Sequence, residues 1–222
     1  MSSPLVTEPT AAHDASIIWM HGLGASANDF ADMPGIIPRP GTRWIFPNAP
    51  VRPVTLNNGM RMRSWFDIRY MGGGEESGER ESPEEAADSH RIITELIEAE
   101  HANGIPYNRI VLVGFSQGGA MSLYTGTRTT ETLAGMVCLS GYLLFNEVQL
   151  EAAHPHNRQT PVLICHGTQD DVVPYRSGFL SAGFMKTHGW PVAFEEYPMQ
   201  HEVSMPEIRR IGEFFAEVLD QN

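Results

Sequence analysis

The stretch "VLVGFSQGGA", Val111–Ala120, decides how the rest of the chain is read. Ile110 to Val113 supply the apolar, largely β-branched run of a buried strand. Gly114, Phe115, Ser116, Gln117 and Gly118 then follow as Gly-x-Ser-x-Gly. In a sharp strand-to-helix turn the central serine takes a strained backbone. Its flanking positions must lack bulk so that strand and helix can approach and the hydroxyl can project. A plain strand, a glycine turn and a helix with a capping serine fit the same letters without any chemistry. Partners elsewhere in the chain have to separate the two readings.

Apolar runs bounded by turn residues recur at Ser16–Met20, Arg43–Phe46, Ile110–Val113, Met136–Leu139, Val162–Cys165 and Val192–Tyr197, and each reads as a strand. Helical spacing lies between them. It is clearest after "SPEE", where Ser82 can cap, Pro83 suits the first helical position and Glu85 completes a capping box. Ile92, Ile93, Leu96 and Ile97 then share one face, and Asn103-Gly104 ends the helix. Further helices are expected at Gln117 to about Thr127, near Tyr175–His188, and at roughly Met205–Leu219. Alternation of helices with near-continuous apolar strands predicts an α/β fold, a mostly parallel central sheet with helices on both faces. Sites in such sheets lie at the carboxyl ends of the strands. The biased segment Gly72–Glu85 reads as a solvated loop running into an acidic helix start.

The 222 residues read as one domain, with about residues 1–12 as a flexible N-terminal segment. Hydrophobic content of 41% against 19% charged residues suits a soluble globular chain with a large core. A net charge of −12 argues against nucleic acid or an anionic membrane surface as the main partner. "MSSPLVTEPT" has neither a basic nor an apolar leader region, and no run reaches membrane-spanning length, so a cytoplasmic location without stable membrane insertion is expected. Cys138 and Cys165 each sit in an apolar run and read as small buried thiols rather than a disulfide, which suits a reducing compartment.

A serine that attacks a carbonyl needs a base, an acid that orients the base, and donors for the developing oxyanion. Behind an elbow of this kind the chain order is Ser, then Asp or Glu, then His. "LICHGTQDDVVP" supplies Asp170 and Asp171 on the loop after a strand, one of them an ordinary turn aspartate before Pro174. Two histidines follow. His188 precedes Gly189 at a helix end, where a capping role suffices; His201, between a strand and the last helix, is the better base. The oxyanion donors are expected to be the backbone N–H of Gln117 and that of Leu23, on a loop opened by Gly22 and Gly24. His21 and His166 read as loop-shaping residues. His154 and His156 have no obvious further ligands and make a poor metal site.

Together "HGLGAS", "FPNAP", "SWFDI", "GIPYNRIVLVGFSQGGAMSLYTG", "LAGMVCLSGYL", "HGTQDDVVP" and "YPMQHEVS" resemble the α/β-hydrolase carboxylesterases that include acyl-protein thioesterases and lysophospholipases. The likeness spans almost the whole chain, and "HEVS" looks more like bacterial carboxylesterase members. The resemblance implies Ser116 as nucleophile, Asp170 rather than Asp171 as triad acid, His201 as general base, the Leu23 and Gln117 amides as oxyanion donors, and no metal or organic cofactor. It also implies a small-molecule ester or acyl thioester substrate, with lysophospholipids and S-acylated proteins among the candidates. Ester against thioester preference, acyl-chain length and a homodimer stay open. Trp65 and Phe66 read equally as acyl-pocket lining or as plain core, and the segment around 70–85 replaces a variable substrate-covering loop. The rival reading from another class is a hydrolase-like fold that binds a partner without catalysis.

Overall fold

The computed structural model of the chain describes residues 3–70, 80–145, 150 and 153–220. Its frame is a seven-stranded sheet of β1 (Leu5–Thr7), β2 (Ala15–Met20), β3 (Thr42–Phe46), β6 (Ile110–Phe115), β7 (Gly135–Leu139), β8 (Val162–Gly167) and β9 (Val192–Tyr197). The order across it is β1-β3-β2-β6-β7-β8-β9, with β1 antiparallel to β3 and every other pair parallel. A separate antiparallel hairpin joins β4 (Val51–Val54) to β5 (Met60–Arg63) through Asn58 and Gly59, both at positive φ. The helices that position the site are α2 (Pro83–Ala102), α3 (Gln117–Gly126), α4 (Tyr175–Thr187) and α5 (Met205–Leu219); α1 is a single turn at Met33–Ile36.

Period-two alternation explains why the central strands are apolar throughout. Ile17, Trp19, Val111 and Val113 face a cluster that includes Ile208, Ile211, Phe214 and Phe215 of α5. Their neighbours Ile18, Met20, Ile110 and Leu112 face Ile93 and Ile97 of α2 and Ala120 and Met121 of α3. A third cluster joins Met136, Cys138, Val162 and Ile164 to Ala182 and Met185 of α4. Both faces of the sheet are therefore covered.

Local differences from the sequence reading have local causes. Leu5–Thr7, inside the stretch expected to be flexible, is held as an edge strand by pairing with Trp44–Phe46. Ser82 caps α2, accepting from the Glu85 N–H, but the Glu85 carboxylate reaches the Asp67 N–H at 2.7 Å instead of closing a capping box. The segment expected to be solvated is only partly so. Residues 71–79 lie outside the described ones, while Glu81 and Ser82 are buried, with Glu81 bridging to Ile68 and accepting from the Tyr142 hydroxyl at 2.9 Å. Burial pushes the Glu81 carboxyl above its ordinary range, and Arg80 and Tyr142 partly oppose that.

Candidate active site

β6 delivers Phe115 and Ser116 to the carboxyl end of the sheet, and α3 starts at once at Gln117. Ser116 sits at φ 56°, ψ −118°, a conformation that costs a non-glycine residue about 1–3 kcal/mol. The flanking glycines make the turn possible. A Cβ on Gly114 would collide with the Gly118 carbonyl, and one on Gly118 would collide with the carbonyls of Met20 and His21. The turn is fastened by the Ser116 N–H donating to Leu139 O at 2.7 Å. The first turn of α3 aims its N–H groups and the positive end of its dipole at the space beside the Ser116 hydroxyl.

Two loops from neighbouring strands complete the chain of side chains that starts at that hydroxyl. His201 follows β9, and its Nε2 lies 2.9 Å from Ser116 Oγ. Its Nδ1 lies 2.7 Å from Asp170 Oδ2, on the loop after β8. The other carboxylate oxygen, Oδ1, accepts the N–H groups of Val172 and Val173 at 2.9 and 2.8 Å. The Asp170 side chain is fully buried and that of His201 is 15% exposed, so the imidazole lies between a dry carboxylate and an open hydroxyl. Asp171 is exposed. His188 is also exposed, with its Nδ1 2.8 Å from the Phe184 carbonyl at the end of α4.

His21, just after β2, and His166, near the end of β8, brace the loops that follow these strands. The ring of His21 is buried, with Nδ1 2.7 Å from Gly22 O and Nε2 accepting the Ala49 N–H at 3.1 Å. Those partners require the neutral Nδ1–H tautomer, and burial holds the pKa down in the same sense. His166 Nε2 donates to Val173 O at 2.9 Å, and burial lowers its pKa too. Both thiols are free and buried; burial pushes Cys138 up to about 12. No group of three or more metal-ligating side chains occurs among the described residues.

Ser116, Gln117, His201, Gly22 and Leu23 open onto a cleft of about 450 Å³. Its walls are mostly apolar, with Phe30, Leu56, Ile68, Phe115, Tyr142 and Val203 among them and Asp29, Arg80 and Glu202 as charged members. Trp65 and Phe66 are fully buried and are not among the lining residues. They belong to the core cluster of α2 and α3, one of the two readings that the sequence leaves even for this pair. The cleft walls themselves escaped the sequence reading, because they come from segments scattered along the chain and share no local pattern.

A serine on a strained strand-to-helix turn, followed in the chain by a buried aspartate and then a histidine at the carboxyl ends of a parallel sheet, defines an α/β-hydrolase. Comparison with known proteins narrows this: the family model described as Phospholipase/Carboxylesterase matches residues 1–219, and the chain belongs to that family. It is similar to "Acyl-protein thioesterase 1" of Gibberella zeae, 39% identical over 98% of this chain and 96% of that protein. The protein of the same name from Cryptococcus neoformans is 38% identical over 97% of each. Among solved structures, Arabidopsis thaliana SOBER1 superposes with a TM-score of 0.87 at 30% identity, covering 93% of this chain and 99% of that one. Zea mays acyl-protein thioesterase 2 gives 0.86 at 29%, covering 99% and 100%. The chain is thus a serine hydrolase of the carboxylic ester and thioester class. No helix among the described residues is long and apolar enough to cross a membrane.

Proposed function

We propose that this hydrolase releases apolar acyl groups from esters and thioesters through an acyl-enzyme on Ser116. The observation that carries the reading is the hydrogen-bonded chain from Asp170 through His201 to Ser116, opening on an apolar cleft. Ser116 Oγ attacks the carbonyl carbon as His201 Nε2 takes its proton. Asp170 holds the Nδ1–H tautomer and stabilises the imidazolium that forms. The carbonyl electrons move to an oxyanion that accepts hydrogen bonds from the Leu23 and Gln117 backbone N–H groups. Collapse expels the alcohol or thiol, protonated by His201. Water, deprotonated by His201, then attacks the acyl-enzyme and releases the carboxylic acid and free Ser116.

The substrate class follows from the cleft. Apolar walls reward each buried methylene by about 0.8 kcal/mol, close to fourfold in kcat/KM per methylene until the cleft is full. The similarity to acyl-protein thioesterases favours S-acylated proteins, with small esters and lysophospholipids as further substrates of the same chemistry. Two buried free thiols and an acidic surface fit a cytoplasmic enzyme. The reading of a hydrolase-like binding protein is not favoured, because a lapsed site has no reason to keep this geometry.

The test is a series of soluble esters of graded chain length together with an S-acylated peptide, assayed on wild type and Ser116→Ala. Turnover should climb with chain length and vanish in the variant except for a residual about 10³–10⁴ over water. A flat chain-length profile would remove the acyl assignment to the cleft, and near-normal turnover by Ser116→Ala would remove the nucleophile.

A further inference from the structure

Ser64, Trp65 and Phe66 are completely buried, yet their polar atoms converge on both loops that carry the oxyanion amides. On the α3 side the Gln117 side chain is gripped at both ends. Its Oε1 accepts the Trp65 backbone N–H at 2.7 Å and its Nε2 donates to Phe66 O at 2.6 Å, with Ser64 Oγ 3.1 Å from Nε2. A backbone donor at one end and a backbone acceptor at the other fix which way the amide points. On the opposite side the Trp65 indole N–H donates to His21 O at 2.9 Å, and the Gly24 N–H donates to Arg63 O at 2.8 Å. Leu23 is suspended between these two anchored residues.

The segment is fixed in its own right. The Ser64 N–H donates to Pro50 O at 3.0 Å, Ser64 Oγ donates to Phe66 O at 2.6 Å, and Ser89 Oγ of α2 donates to Trp65 O. None of these bonds uses the backbone N–H of Leu23 or Gln117, so both donors are left for a ligand. Burial of a tryptophan does not by itself organise its N–H in this chain: the indole nitrogens of Trp19 and Trp190 are buried without a partner among the described residues. That of Trp65 is aimed at the carbonyl two residues before Leu23.

We propose that Ser64–Phe66 is a strap that sets the separation and aim of the two oxyanion amides, which makes Trp65 and the Gln117 side chain positioning residues for the reaction. This rests on the reading of Ser116 and the two amides given above. The physical need is plain. Oxyanion donors act only when held within about 2.7–3.1 Å of where the charge develops. Leu23 lies between two glycines, on a loop that would otherwise lose conformational entropy each time it was ordered. One rigid segment bonded to both loops removes that cost before substrate arrives, and it couples the two donors to a common frame.

The test uses Trp65→Phe, which keeps an aromatic ring and the backbone N–H but deletes the indole donor. It also uses Gln117→Glu, which keeps size but sets a carboxylate oxygen against Phe66 O. For each, kcat and KM on one soluble ester are measured beside the inhibition constant of an alkyl trifluoromethyl ketone, whose adduct with the serine carries the oxyanion. Misaiming one donor should cost less than deleting it, which is about 10²–10³, so kcat should fall about tenfold in Trp65→Phe and more in Gln117→Glu, with KM within about twofold. The ketone should weaken in proportion to kcat/KM. A purely structural role would lower thermal stability without that proportionality. Ser89→Ala, which loosens the strap from α2 and touches neither loop, should show the same pattern at smaller amplitude, and it decides the matter if either other variant fails to fold. Unchanged ketone affinity in folded variants would overturn the strap while leaving the nucleophile in place; normal turnover by Ser116→Ala would instead overturn the reading on which it rests.

Discussion

Replacing Asp170 by Asn tests the site at its most buried point, and the structure fixes how the amide must sit. Oδ1 of Asp170 accepts two backbone N–H groups, from Val172 and Val173. The amide oxygen of Asn has to take that place, because turning the NH₂ toward those donors would strand the buried Val173 N–H, at about 1–3 kcal/mol, and lose the Val172 bond besides. The NH₂ then occupies the Oδ2 position, 2.7 Å from His201 Nδ1, and donates to it. His201 is driven to the Nε2–H tautomer, which presents a proton to Ser116 Oγ where an acceptor is needed. Loss of the correct tautomer and of the charge that stabilises the imidazolium should lower kcat by about 10⁴, close to 5.4 kcal/mol of barrier. Asp171→Asn should stay within about threefold of wild type, since its exposed side chain can keep local turn bonds as an amide. Both variants are assayed on one soluble ester with folding checked by thermal melting. A kcat for Asp170→Asn within tenfold of wild type, or a dead Asp171→Asn, would refute the reasoning.

Three further outcomes are expected. His201→Ala should abolish covalent labelling by a fluorophosphonate, whereas His188→Ala should label at the normal rate, because its ring contacts only the end of α4; equal labelling of both would displace His201 as the base. Gly118→Ala should be a folding variant rather than a kinetic one, as its Cβ would stand 2.7 Å from His21 O, and a loss of about 4 kcal/mol or more should lower Tm by roughly 10 °C; an unchanged melt would mean that the elbow relaxes freely. Glu207, fully buried at the start of α5, is pushed up from 4.5 to about 8 by burial, so over that window the folded chain holds a proton that the unfolded chain releases. The stability this provides is complete below pH 4.5 and drains away as pH rises to about 8, so Glu207→Gln should gain in Tm over wild type at pH 8 and not at pH 5; a constant difference across that range would contradict the burial effect.

Much of this arrangement was legible because its causes are local. Six apolar runs marked six of the seven sheet strands, and Ser82, Pro83 and Asn103-Gly104 marked both ends of α2, since caps and turns are decided by a few adjacent residues. The chain order of elbow, aspartate and histidine pointed to the three side chains that the fold brings within hydrogen-bonding distance. What escaped depended on distant partners. Three residues at Leu5–Thr7 become a strand only because β3 offers an open edge. The β4–β5 hairpin did carry an Asn-Gly signal, but Pro53 weakens the strand before it. Trp65 could not be assigned from its own neighbourhood, because the choice between lining a cleft and bracing a loop lies in where residues 21 and 117 end up.

The serine and the histidine are held in place by unequal means, and this accounts for where strain is stored. Ser116 is locked between β6 and α3, each packed against neighbouring strands, and its positive φ is tolerated because that frame cannot yield. His201 sits instead on a short turn closed by the Glu202 N–H bonding Gln200 O, with the Ser204–Glu207 capping box starting α5 just behind it. That turn lies so close to the end of β8 that a Cβ on Gly167 would meet Gln200 O at 2.5 Å. Glycine at 167 therefore sets how near the imidazole can come to Asp170, three residues further along the same strand-end loop. A rigid nucleophile and a base carried on a lighter segment suit a reaction in which the imidazole must serve first the leaving group and then water, while the attacking oxygen and the oxyanion donors stay fixed.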